Sequence, residues 1–161
     1  MPAEPTPSVV VAGVGEPYRR DDGCGPRVVA ALRGRVAPSV RLVERVAEPT
    51  ALLDLWEGTR LAVVVDAMRS GSAPGTVRRL EGSEVASAAP AERTTSSHGV
   101  SVRTAVELGR ALHRLPERLV LYLVEAADLG PGEVLSPEVL RGVATAADRI
   151  LEETRGTSAG A

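Results

Sequence analysis

Apolar positions in this chain fall into short runs whose spacing alternates between strand-like and helix-like, with glycines and prolines between them. Residues 8–14 are apolar and β-branched and end in glycines, the pattern of a strand buried on both faces, which predicts a central first strand. After a loop over 15–25, Pro26 suits the first turn of a helix, where its missing N–H would have no partner. Val28, Val29 and Leu32 then give that helix an apolar face up to Gly34. Residues 40–46 alternate, with Val40 and Leu42 set against Arg41, Glu44 and Arg45, and so predict a second strand with one wetter edge. Pro49 opens a short helix through Trp56 that Gly58 stops.

The run 61–65, closed by Asp66, predicts another central parallel strand. Pro74-Gly75 marks a turn, with an edge strand expected over 76–80. Between Glu81 and Ser97 the chain is dominated by Ser, Ala, Glu and Pro without periodicity, which predicts a long surface loop. Helical spacing returns at Val102, Val106, Leu108 and Leu112, and Pro116 separates that helix from a last buried strand over 119–124. Ser136 and Pro137 look like the cap and first residue of a closing helix that runs to about Glu153. This alternation predicts an α/β fold: a three-layer sandwich with a mostly parallel, twisted sheet of about five strands and helices on both faces. One domain over 1–161 is expected, with the ends 1–7 and 156–161 flexible.

Composition narrows the function classes. The net charge of −2 comes from nearly balanced acids and bases, and only Trp56, Tyr18 and Tyr122 are aromatic, so neither the field nor the stacking surface of a nucleic-acid binder is present. No apolar run reaches the length of a membrane span, and the start of the chain lacks the basic and apolar regions of a secretion signal. The single cysteine, Cys24, excludes an internal disulfide and a multi-cysteine zinc site and fits a reducing cytoplasm.

In open α/β sheets ligands bind beyond the carboxyl ends of the strands. That rule selects Asp22 in the loop after the first strand, Asp66 at the end of the run 61–65, and His98 in the loop entering the later helix. Two carboxylates and an imidazole suit a divalent metal and leave coordination positions open. Plainer roles stay open for each: Asp21 and Asp22 favouring a helix N-terminus, Asp66 capping a turn, His98 as an ordinary helix-entry residue. His113 reads as structural, beside a helix C-terminus. Rival chemistries fail. Gly13-Val14-Gly15 begins like a dinucleotide fingerprint, but Tyr18 occupies the place of the third glycine, and no Walker A loop or serine nucleophile elbow is present. Cys24 sits among acids that disfavour its thiolate and reads as a small buried hydrophobe.

The stretch from Gly13-Val14-Gly15-Glu16-Pro17 to Asp21-Asp22-Gly23-Cys24-Gly25 resembles the opening motif of hydrogenase maturation proteases. Val64-Val65-Asp66-Ala67, with Ser70-Gly71 and Pro74-Gly75-Thr76 behind it, is similar to the family's second motif. Ser97-His98 resembles the third, and Glu125 to Asp128 with Leu135-Ser136-Pro137 its closing segment. Glu16 stands where the family usually has Asn, and Ala47-Glu48-Pro49-Thr50 where many members have a glycine-rich segment associated with substrate recognition.

The resemblance implies a cytoplasmic, aspartic-type endopeptidase that trims the C-terminal extension of a hydrogenase large-subunit precursor; the sequence leaves the oligomeric state open, with a monomer expected. Asp22, Asp66 and His98 are then both the catalytic and the metal-contacting residues. The metal is nickel brought by the precursor, or another divalent ion in its place. Glu16 or Asp21 is a candidate assisting base. Two alternatives use the same trio: a non-proteolytic factor that checks nickel loading, and a metal-dependent hydrolase of small molecules.

Overall fold

The computed structural model describes residues 6–85, 93–94 and 102–158, of which 93, 94 and 158 by backbone alone. Strand β1 (Val9–Val14) is buried along its whole length, as its unbroken apolar run requires. A 3-10 turn, Arg20–Gly23, leads into helix α1 (Cys24–Leu32), so the chain is already winding two residues ahead of the expected start at Pro26. Strand β2 (Val40–Val46) follows, then the turn Pro49–Ala51 and helix α2 (Leu52–Trp56). Next come β3 (Leu61–Arg69), β4 (Val77–Glu81) and the short helix α3 (Gly82–Val85). The two-residue β5 (Arg93–Thr94), helix α4 (Val102–Ala111), β6 (Arg118–Glu125) and helix α5 (Pro137–Ser158) complete the described elements.

Five strands run in the order β2-β1-β3-β6-β4, and β5 pairs with β3 off that path. Strands β2, β1, β3 and β6 are parallel, whereas β4 is antiparallel to β6 and β5 to β3. The mostly parallel sheet with helices on both faces is the expected architecture. Because successive strand side chains point to opposite faces, the core splits in two. Val9, Val11, Leu61, Val63 and Val65 pack with Val28 and Leu32 of α1 and Val139 and Ile150 of α5. The alternate residues Val10, Ala12, Val14, Ala62, Val64 and Met68 pack with Leu52 and Trp56 of α2 and Val102 and Val106 of α4.

Four expectations are corrected. Strand β3 does not end at Asp66 but continues to Arg69, because β6 pairs with it as far as Met68↔Glu125 and β5 as far as Arg69↔Arg93. Within the expected loop 81–97, residues 82–85 form α3 and 93–94 form β5. Helix α4 buries Val102, Ala105, Val106 and Gly109, while Leu108 and Leu112 face solvent. Helix α5 runs past Glu153 to Ser158. No helix among the described residues is long and apolar enough to cross a membrane.

Candidate active site

The chain leaves β1 for β2 on one side and the sheet continues with β3 on the other, so strand order reverses between β1 and β3 and a crevice opens beyond their carboxyl ends. Pairing of β1 with β3 stops at Gly13↔Val65, which makes Asp66 the first β3 residue past the reach of β1. Its side chain falls on the same face as Val64 and Met68, toward α2 and α4. The crevice encloses about 210 Å³ between Asp22 and Glu16 on the β1 side, Asp66 at its floor, and Arg45, Glu48 and Pro49 at the end of β2.

Glycines let the backbone close around it. Gly15 has φ +133°, and a Cβ there would run into the Asp22 carbonyl. At Gly25, in the first turn of α1, a Cβ would stand 2.5 Å from the carbonyl oxygens of both Val14 and Val65, so only glycine seats the helix on the two strand ends that flank the crevice. Asp22 is 4% exposed. Its Oδ2 accepts the Glu16 N–H at 2.9 Å and lies 3.8 Å from Arg19 Nη1.

Asp21 has a different task. Fully buried, it accepts the N–H groups of Ala127 and Asp128 on Oδ2, the Ser136 N–H on Oδ1 and the Ser136 hydroxyl on Oδ2. Burial pulls its pKa up, but these donations, led by the Ser136 N–H, outweigh it and hold the carboxyl below the ordinary value. Asp21 is therefore a structural clasp, set in the first turn of Arg20–Gly23. Ser136, expected as a helix cap, turns its hydroxyl to this clasp.

Asp66 is 2% exposed. Its Oδ1 accepts the Ala67 N–H at 2.8 Å, while Oδ2 is buried without a hydrogen-bond partner among the described residues. Burial first, and the Asp22 charge second, push its pKa well above the usual carboxylate range. Two buried carboxylates, one with an idle oxygen, form a hard anionic pair that a divalent cation would neutralise. Among the described residues no group of three or more His, Cys, Asp or Glu side chains is assembled to hold a metal. His98, the expected third member, lies outside the described residues. Cys24 is fully buried beneath the acids. Burial, then Asp66, Asp22 and Asp21, raise its pKa far above the ordinary thiol value, and it behaves as the expected hydrophobe.

Two residues at this rim carry a role the sequence did not single out. Glu125, 2% exposed at the end of β6, accepts the N–H groups of Ser70 and Gly71 and the Ser70 hydroxyl, and so anchors the turn after β3. Its signal in sequence was the same as that of Asp66, an acid closing an apolar run. Arg45 pairs with Glu16 across the crevice mouth at 2.8 Å.

Comparison with known proteins places this geometry in context. The sequence model of a family described as hydrogenase maturation protease matches residues 26–153. The hydrogenase expression/formation protein HupD of Thiocapsa roseopersicina is 29% identical over 149 residues, 91% of this chain and 67% of that protein. HupM of Azotobacter chroococcum is 29% identical over 126 residues, 77% of this chain and 60% of that protein. The structure of the hydrogenase maturating endopeptidase HybD from E. coli superposes with a TM-score of 0.79 at 26% identity, covering 92% of this chain and 93% of that one.

Proposed function

Since this chain belongs to the hydrogenase maturation protease family, we propose that it is an endopeptidase that removes the C-terminal extension of a nickel-loaded hydrogenase large-subunit precursor. In this reading the nickel arrives as part of the substrate, and Asp22, Asp66 and His98 contact it. The observation that carries the proposal is the idle, buried Oδ2 of Asp66 beside Asp22. A buried carboxylate oxygen without a partner is costly, and an incoming cation relieves that cost only while the substrate is bound. A metal supplied by the substrate also makes recognition and cleavage depend on the same ion.

The chain's own groups orient this pair. The Glu16 N–H fixes Asp22, the Ala67 N–H fixes Asp66, and Glu48 and Pro49 wall the space into which the peptide would enter. For His98 the support comes from its neighbours in sequence. Strand β5 pairs with β3 at Met68 and Arg69, just past Asp66, and Val102 at the start of α4 is buried on the face toward which Asp66 points. When bound, nickel would act as a Lewis acid near the scissile peptide.

The test incubates nickel-loaded and nickel-free precursor with the wild-type chain or with His98→Ala, and follows the large-subunit mass. Loss of the extension is expected for wild type with nickel only. Equal trimming by His98→Ala removes His98 from the mechanism. A stable complex without peptide release replaces the endopeptidase by a nickel-checking factor. Metal held tightly by the isolated chain, with hydrolysis of small substrates, would replace it by a small-molecule hydrolase.

A further inference from the structure

Strand β2 carries one residue more than β1 at the crevice: pairing steps from Ala12↔Val43 to Val14↔Val46, so Glu44 and Arg45 both stand opposite Gly13. Such a bulge is uncommon in a parallel pair, and bulges near functional sites re-aim side chains. Gly13 is the residue that tolerates it, since a Cβ there would collide with the Glu44 carbonyl. The extra residue sends Glu44 to Arg33, just past the end of α1, and leaves both Arg45 and Val46 on the crevice side. Arg45 Nη2 there meets Glu16 Oε2 at 2.8 Å, and the Glu16 main-chain N–H in turn donates to Asp22 Oδ2 at 2.9 Å.

We propose that Arg45 is a positioning residue: by clamping the Glu16 side chain across the crevice mouth, it holds the Glu16 N–H on Asp22. Arg45 is the one cation among the described crevice-lining residues, facing Glu16, Asp22, Glu48 and Asp66, and of these the ion pair selects the carboxylate whose own backbone orients Asp22. Both partners are partly exposed, at 46% and 34%, so the clamp is adjustable and weakened by salt. Its consequence for catalysis rests on the endopeptidase reading; the clamp itself does not.

The experiment measures amide hydrogen exchange by NMR in the full chain, corrected for intrinsic rates, for wild type, Arg45→Gln and the charge swap Glu16→Arg/Arg45→Glu. In Arg45→Gln the residue-16 amide exchanges roughly three- to fivefold faster, and the swap regains most of the protection. Salt at about 0.5 M does the same to wild type, since it screens the pair. The amides of Arg20 and Asp21, bonded to the carbonyls of Gly132 and Asp128, keep their rates. On a precursor that wild type trims, kcat falls by a similar factor with KM unchanged. An unchanged residue-16 amide in Arg45→Gln, a swap no slower than the single variant, or a parallel rise at Arg20 and Asp21 overturns the proposal. If the amides respond as stated but wild type trims no precursor, the endopeptidase reading fails and the clamp stands.

Discussion

Asp21 and Ser136 are joined twice, the Ser136 N–H donating to Oδ1 and its hydroxyl to Oδ2, each at 2.8 Å. With the N–H groups of Ala127 and Asp128 also on Oδ2, one buried carboxylate ties the loop that carries Asp22 to the segment between β6 and α5. Asp22 thus sits beside an anchor that reaches 115 residues along the chain.

The clasp is pH-dependent in a definite direction. The folded-state pKa of Asp21 lies below the ordinary value of 3.8, so its stabilisation is fully present above that value and is lost as the pH falls through the lowered one. Wild type should exceed Asp21→Asn by about 2–3 kcal/mol at neutral pH, and the gap should close in strongly acidic solution. Urea unfolding at stepped pH measures it; a gap that stays constant down to the most acidic point would assign the effect to packing.

Asp66 works against the fold when no cation is present. Its folded-state pKa is raised, so its contribution is favourable below the ordinary value of 3.8 and is lost as the pH rises through the raised one. Asp66→Asn should stabilise the metal-free chain at neutral pH by about 1–2 kcal/mol while abolishing trimming. Thermal unfolding beside a precursor assay decides it, and a less stable variant would contradict the account of an uncompensated charge.

Gly25 sets how closely α1 approaches the ends of β1 and β3. A methyl group there meets two backbone carbonyls that no rotamer change can clear. Gly25→Ala should cost about 2–4 kcal/mol and displace α1 from the strand ends. Chemical denaturation gives the cost, and a crystal structure of the variant the displacement; an unperturbed Tm would show that the helix seats less tightly than the geometry requires.

Glu125, at the end of β6, makes a further prediction. Removing its carboxylate in Glu125→Ala leaves the Ser70 and Gly71 N–H groups without their acceptor, which should cost about 2–3 kcal/mol and loosen the turn after β3. Arg69, exposed at the start of that turn, becomes the reporter: trypsin should nick the variant there faster than wild type.

What could be read from the sequence follows from where each feature's cause lies. Strands β1 and β6 were legible because a strand covered on both faces must be apolar throughout, and Asp66 because an acid closing such a run is conspicuous. The continuation of β3 through Ala67 and Met68 was not, since it depends on pairing with β6 and β5. The buried face of α4 was ambiguous by spacing alone. Gly109 marks it, because a side chain there would press on Leu115 and Trp56, so this face packs closely. The place of Asp22 beside the crevice was legible and the clasp at Asp21 was not, for a related reason: a position on the strand rim is local information, whereas the Asp21 partners lie more than a hundred residues away. The bulge at 44–45 left no local mark either, because it exists only in the mismatch between two strands.

Cys24, sealed under the carboxylates and held as a thiol, makes the native chain silent toward maleimides and other thiol-directed dyes. A cysteine introduced on the exposed rim, for instance Tyr18→Cys, could therefore be labelled alone in the otherwise unaltered protein. A fluorophore placed there would report the arrival and departure of a macromolecular guest in real time, independently of any bond being cut.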